Sequence, residues 1–452
     1  MKPSITGRPA LLASALALGM LVASFASCAT NVGGDDGAED ASSSVPETGA
    51  PELDAGGDAG LDDASCEAAD AGCTTEIAAC ETVSWCMVPT PVAAAHTLTA
   101  IWGANANDIW AVGSGGTIIH YDGAAWTATP TGYPNTFFAI WGSGPRDIWA
   151  VSSTDVILHG SGFRNGKAVW QNAPPTSGST TEVAVISGRG VYAVWGSSPT
   201  DVRIGTRSFS MNVRTEDFSF SFQGTGNQFA RSIARDGGVL WRALPGKEYS
   251  VTSIWGSSAD DVWMTVDNGP NVPFQRGMTF HGTPYDRSTG GPNPNLKDDS
   301  TCTGCDPGCI DCALADDRLA WTPVDSQTTV ALAAVWGSSA DDVWAVGAQG
   351  TIRRIKAGDD RWRKVDSPTN ESLHAVWGTG ANDVWIAGDR GTILHYDGAK
   401  LEASSAQLPL GPRPNLRGIW GSGPDDVWIV GDSISLHYTG RKPGVAEGSG
   451  VK

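Results

Sequence analysis

Chemistry in this 452-residue chain would have to come from its seven histidines, nine cysteines and its aspartates. Five histidines, His120, His159, His281, His395 and His437, occupy one place in a repeated phrase, and Arg354 takes that place in another copy. A general base is singular in an enzyme, whereas architecture repeats, so these histidines read as packing or edge residues. Seven aspartates obey the same rule: Asp108, Asp147, Asp201, Asp261, Asp342, Asp383 and Asp426 each stand six positions after a Trp. A carboxylate there can accept backbone N–H bonds and lock a turn ahead of a strand, although a ring of ligand sites would use the same pattern. His96 and His374 fall outside the set, and neither has a Ser, Cys or Asp partner visible in the sequence. No P-loop, G-x-S-x-G, H-E-x-x-H or Rossmann fingerprint occurs. The sequence therefore assigns no catalytic residue, no cofactor and no metal.

Setting Cys28 aside, the cysteines form two groups of four: Cys66, Cys73, Cys80 and Cys86, then Cys302, Cys305, Cys309 and Cys312. Even counts in an exported chain favour disulfides. The second group also has C-x2-C-x3-C-x2-C spacing, which could supply four thiolates to a metal, but the two pairs of a zinc ribbon usually stand farther apart. The pairing is not fixed by the sequence.

The elements that must position these residues are set by a repeat. Its first Trp stands at Trp102, Trp141, Trp195, Trp255, Trp336, Trp377 and Trp420, always followed by Gly. A second Trp stands two residues after the Asp in six copies, with Arg203 replacing it in the third, so thirteen of nineteen tryptophans belong to the repeat. Compact copies are spaced by 39, 41 and 43 residues, and apolar bursts alternate with Gly, Ser, Pro, Asn and Asp. That is strand-and-turn chemistry with no sustained helical period. Four short strands and their turns need about 40 residues, the size of a propeller blade. The expected fold is all-β: a seven-bladed β-propeller with four antiparallel strands per blade. The last copy lacks a fourth-strand segment, while Val83–Thr90 resembles one, so a strand near Trp85 is expected to complete the last blade and close the ring.

The remaining chain divides by composition. Residues 1–27 carry Lys2 and Arg8, then an apolar run ending in small residues, as in a signal peptide. Phe25-Ala-Ser-Cys28 resembles a lipobox, which implies lipidation at Cys28, although Phe25 stands where Leu is usual. Residues 28–80 read as an acidic, disordered spacer, for residues 31–80 hold thirteen Asp or Glu and no Lys or Arg. No calcium loop of the needed spacing occurs there. Losing Lys2 and Arg8 takes the net charge from -19 to -21, and the spacer supplies 13 of that, leaving the body near -8. No basic stripe suggests nucleic acid. The propeller is expected over 81–440 with an insertion at 283–320, and 441–452 as a disordered tail. The irregular aromatics Tyr133, Phe137, Tyr285 and those near Phe218 are expected at the surface, and the repeated Trp residues between blades.

The phrase W-G-S-x-x-D-D-V-W-A-V-G-x-x-G-T-I-x-H-Y-D-G resembles repeats of secreted and lipid-anchored propeller proteins from myxobacteria and related bacteria, as does an Asp/Ala/Gly spacer behind a lipobox. It is also reminiscent of two-component-regulator sensor propellers. Kelch Gly-Gly pairs and the S-x-D-x-G-x-T-W box are absent. The resemblance implies a monomer exported and lipid-anchored to the bacterial outer membrane or cell surface, or secreted, touching membrane only through its lipid. The function expected is a non-enzymatic binding platform for a protein or glycan partner. A glycan-processing enzyme and a purely structural envelope component are the alternatives, since fold alone does not supply an activity.

Overall fold

Short runs of Val, Ile, Trp and Ala, each closed off by a polar turn, form strands throughout the computed structural model. It describes residues 73–153, 156–173, 190–206, 250–267, 276–284 and 319–440, with the backbone of strands between 209 and 243. Seven four-stranded antiparallel sheets lie among the described residues. The first sheet contains Leu98–Asn105, Asp108–Gly113, Ile118–Tyr121 and Trp126–Ala128, each strand paired with the next. Asn105 pairs with Asp108, leaving a two-residue turn between the first two strands. The second strand is apolar and buried along nearly its whole length, which suits a strand covered on both faces.

The stretched copies keep this plan. In the fourth, Met278–Pro284 and Leu319–Val324 are the third and fourth strands. The insertion expected at 283–320 begins later and ends earlier, because Thr283 pairs with Ala320 and Pro284 with Leu319. In the third, the strands Phe209–Arg214 and Ser219–Gly224 form a separate hairpin between the second and third strands of the sheet.

In the last sheet, Trp85–Met87 pairs antiparallel with Ile434–Tyr438, placing Trp85 opposite Tyr438. Trp85 is fully buried, edge-on to Trp385 at 5.0 Å between ring centroids. Upstream, Cys73–Thr74 pairs with Gly411–Pro412, and Cys80 is disulfide-bonded to Cys86. Composition assigned residues 73–80 to the spacer, but here backbone pairing and the disulfide order a segment with few apolar residues. Cys73 is disulfide-bonded as well. The signal segment, Cys28, Cys66, Cys302, Cys305, Cys309, Cys312, Phe218, Tyr285 and the tail 441–452 lie outside the described residues.

The Trp-Gly pair of the repeat has a packing cause. The indole of Trp102 lies over Gly142, Trp141 over Gly196, Trp195 over Gly256, Trp255 over Gly337, Trp336 over Gly378, Trp377 over Gly421 and Trp420 over Gly103. A Cβ on any of these glycines would stand 2.5–2.9 Å from the neighbouring ring, closer than carbon atoms can approach. Each first-strand Trp therefore needs the next Gly. The second-strand residues Trp110, Trp149, Trp344 and Trp428 are buried at 0–1 % exposure, whereas most first-strand Trp rings are half-buried.

Candidate functional site

The repeated Asp, His and Trp residues come together inside each sheet. In five sheets the second-strand Trp stands directly across from the third-strand His, as Trp110 does from His120. The His Nε2 donates to the Asp at the head of the second strand: His120 to Asp108 at 2.9 Å, His159 to Asp147 at 2.7 Å, His281 to Asp261 at 2.6 Å, His395 to Asp383 at 2.7 Å and His437 to Asp426 at 2.6 Å. The imidazole lies flat on the indole in four of them, with ring centroids 3.9–4.3 Å apart and planes within 15°. The second carboxylate oxygen accepts a hydroxyl from the residue two after the first Trp, namely Ser143, Ser197, Ser257, Ser338, Thr379 or Ser422. Ala104 occupies that place in the first sheet and has no hydroxyl to give.

This corrects the expected role of the aspartates. Their main partners are side chains on neighbouring strands rather than turn N–H groups, so Asp147, Asp261, Asp342, Asp383 and Asp426 each tie three strands together. In the fifth sheet Arg354 replaces His, donating to Asp342 at 2.6 and 3.0 Å with its guanidinium over Trp344. In the third, Arg203 stands on the second strand with Ala230 opposite, and its Nε lies 3.5 Å from Asp201. The cation has moved across one strand while keeping its carboxylate. Burial raises the carboxyls of Asp147, Asp261 and Asp383, but hydrogen bonds from His159, His281, His395 and the serine or threonine partners bring them below the usual range. Burial pushes the His437 imidazole down, against the pull of Asp426. These groups are consumed by the scaffold.

The unrepeated residues converge elsewhere. In every first strand the pairing skips two residues, one two positions after the first Trp and one three positions before it; at the latter, Leu98 pairs with Gly113 and Ala100 with Val112, leaving Thr99 as a bulge. The residues bulged there in the other copies are Phe138, Tyr192, Thr252, Ala333, His374 and Arg417. Bulges re-aim a side chain out of the ladder. All seven line one cavity of about 460 Å³. The flanking residues follow a strict rule: apolar on one side and Ala, Ser or Gly on the other. The bulge is thus the one variable column in a nearly fixed strand.

The cavity is uneven around its circumference. Phe138 and Tyr192 stack on each other at 4.2 Å and 28°. His374 Nε2 lies 2.6 Å from Asp389 Oδ1 and 3.2 Å from Arg417 Nη1. Arg417 also lies 4.0 Å from Asp389 and 3.8 Å from Asp432. Thr97 donates its hydroxyl to Asp432 Oδ1 at 3.0 Å, and the Asn415 N–H donates to Oδ2 at 3.2 Å. The hydroxyls of Thr99 and Thr252 donate to Phe137 and Leu332 carbonyls, tying neighbouring sheets together.

Of the sequence-derived candidates, only His374 lies in this cavity. His96 sits beside Thr117 and Gly115 instead. Phe137, expected at the surface, is fully buried because it fills the strand position of Leu98, and Tyr133 packs against the same core. Sequence reasoning missed Phe138, Tyr192 and Arg417. Their signal was the variation of one column among copies that otherwise agree.

No family model matches the chain, and no curated protein matches it. Among solved structures it is similar to YCF48 bound to D1 peptide, at 16% identity and TM-score 0.53 over 81% of this chain and 100% of that one. YCF48 from Cyanidioschyzon merolae matches at 16% identity and TM-score 0.52, over 78% and 98%. A streptogramin B lyase matches at 15% identity and TM-score 0.50, over 75% and 92%. At these identities the likeness shows the fold alone. The chain is an all-β protein of the β-propeller class.

Proposed function

We propose that this chain is a non-enzymatic, lipid-anchored envelope protein whose propeller is a binding platform. In this reading seven blades form a ring closed by Trp85–Met87, and Cys28 carries the lipid. The spacer holds a monomeric ring away from the outer membrane or cell surface. The carrying observation is that seven bulges each deliver one side chain from a variable column into a single cavity. The repeated Asp and His residues, by contrast, are occupied within the sheets. A cavity of this size, with an aromatic side and a few convergent polar groups, is what a recognition site requires. The YCF48 structure holds a D1 peptide, and a propeller that receives a partner segment agrees with the platform reading.

A second reading, an acid–base enzyme, is favoured by the cavity-lining His374, which lies 2.6 Å from Asp389. A His374→Ala variant that abolishes turnover of a bound ligand without weakening its binding would support it over the platform.

The platform is tested by crosslinking the full chain in envelope preparations beside an Arg417→Ala, Phe138→Ala double variant. Loss of crosslinked partner in the variant is expected; equal capture moves the site off the cavity. Mass spectrometry of the mature N-terminus tests the anchor, with an acylated Cys28 expected. For ring closure, deleting residues 73–92 should lower the melting temperature, whereas deleting 29–65 should leave it nearly unchanged. Equal tolerance of both deletions would remove closure by Trp85–Met87.

A further inference from the structure

An arginine in a cavity offers five N–H donors in a planar fork, and those not used by the protein point to the ligand. Arg417 is placed between two carboxylates, Asp389 at 4.0 Å and Asp432 at 3.8 Å, both beyond hydrogen-bond reach. The closer group is His374 Nε2 at 3.2 Å, but that nitrogen is 2.6 Å from Asp389. If it carries the proton given to Asp389, it has no lone pair left for Arg417. With at most this one protein contact at 3.2 Å, the guanidinium has N–H groups to spare, and Arg417 lines the cavity with its side chain 33% exposed. A ligand must bring oxygen acceptors.

Charge decides which kind. Asp389 and Asp432 against the single guanidinium of Arg417 give two carboxylates to one fixed cation, a balance of one minus two, or -1. A carboxylate or phosphate on the ligand would place a third anion beside two others in a partly enclosed space, where Coulomb repulsion is poorly screened. Neutral oxygens suit the site. Across the cavity, Phe138 and Tyr192 provide aromatic surface for an apolar face.

From these three demands we infer that the cavity takes a neutral sugar residue of a glycan. Sugar hydroxyls both accept and donate, so a vicinal pair can accept from Arg417 and donate to a carboxylate at once. The C–H face of the ring packs on the aromatic pair. A peptide backbone supplies one donor and one acceptor per residue and has no comparable ring face. The inference rests on the binding-platform reading and names its ligand class.

The test is calorimetric titration of the full chain with neutral disaccharides of glucose, galactose and mannose, and with the uronic-acid counterpart of each. At least one neutral disaccharide is expected to bind, and Arg417→Ala and Tyr192→Ala should each weaken it by about tenfold or more. The uronate counterpart should bind more weakly, and Asp432→Asn should narrow that gap by removing one repelling charge. Should Arg417→Ala unfold the chain, Arg417→Lys keeps the charge and loses the fork, and the same weakening is expected. Binding by none of the neutral sugars overturns the inference, as does tighter uronate binding or indifference to these variants. Failure with sugars, together with loss of a crosslinked partner in the cavity variant, would leave the platform standing and remove only the sugar.

Discussion

The sixth copy of the repeat contains two His–Asp pairs of nearly the same length. His395 lies 2.7 Å from Asp383, and His374 lies 2.6 Å from Asp389. Their exposures are similar too, 30% and 23% for the histidine side chains. Neither distance nor burial separates them. The difference is in what surrounds each pair. His395 is stacked on Trp385 at 3.9 Å and recurs in four other sheets, whereas His374 sits on a bulge, has no counterpart in the other copies and lies 3.2 Å from Arg417. A His–Asp pair becomes a candidate for function by its place in the fold and not by its geometry alone.

This contrast can be broken most severely by removing the indole that seats the structural pair. Trp385→Ala empties a buried site between Trp85, His395 and Tyr438 and should cost about 3–5 kcal/mol. Denaturant unfolding measures it; a cost under about 1 kcal/mol would show that the stack contributes little.

Acid should act on the structural pairs next. Asp147, Asp261 and Asp383 have carboxyls below their usual range in the folded chain, so their stabilisation is complete above the ordinary carboxyl value of about 4 and is lost as pH falls through the lower folded values. The His437 imidazole is also lowered, by burial, so its contribution is complete above about pH 6.5 and declines as pH falls through its folded value. A melting-temperature series from pH 8 to 2 should fall in two stages, and His437→Gln should flatten only the upper one. An unchanged upper stage in that variant would assign it to another group.

The smallest effect on stability is expected at the cavity pair. His374→Ala removes a partly exposed ring and should change stability by about 0.5 kcal/mol or less, while altering ligand binding. A large loss of stability would make His374 a structural residue like His395 and erase the contrast.

Much of the scaffold was legible because its causes are local or repeated. Seven copies of Trp-Gly with Asp six positions on announced equivalent blades, and the composition between them announced strands. The copy with Arg203 carries a hairpin between its second and third strands, an insertion that the repeat spacing does not place. Phe137 was misplaced because aromatic type was weighed without its column, and Phe138, the next residue, is the one that lines the cavity.

The sequence by itself determined the blade unit, the identity of the repeated residues and the charge imbalance of the N-terminal segment, since each follows from periodicity or composition along one chain. Only the tertiary structure decided that Asp147, Asp261, Asp383 and Asp426 each hold a His from the third strand and a Ser or Thr from the first, because those partners lie on different strands. It alone placed Phe138, Tyr192, His374 and Arg417 around one cavity. Residues separated by up to 318 positions, from Thr99 to Arg417, meet there because equivalent bulges in successive first strands face the same space. That proximity has no trace in sequence separation.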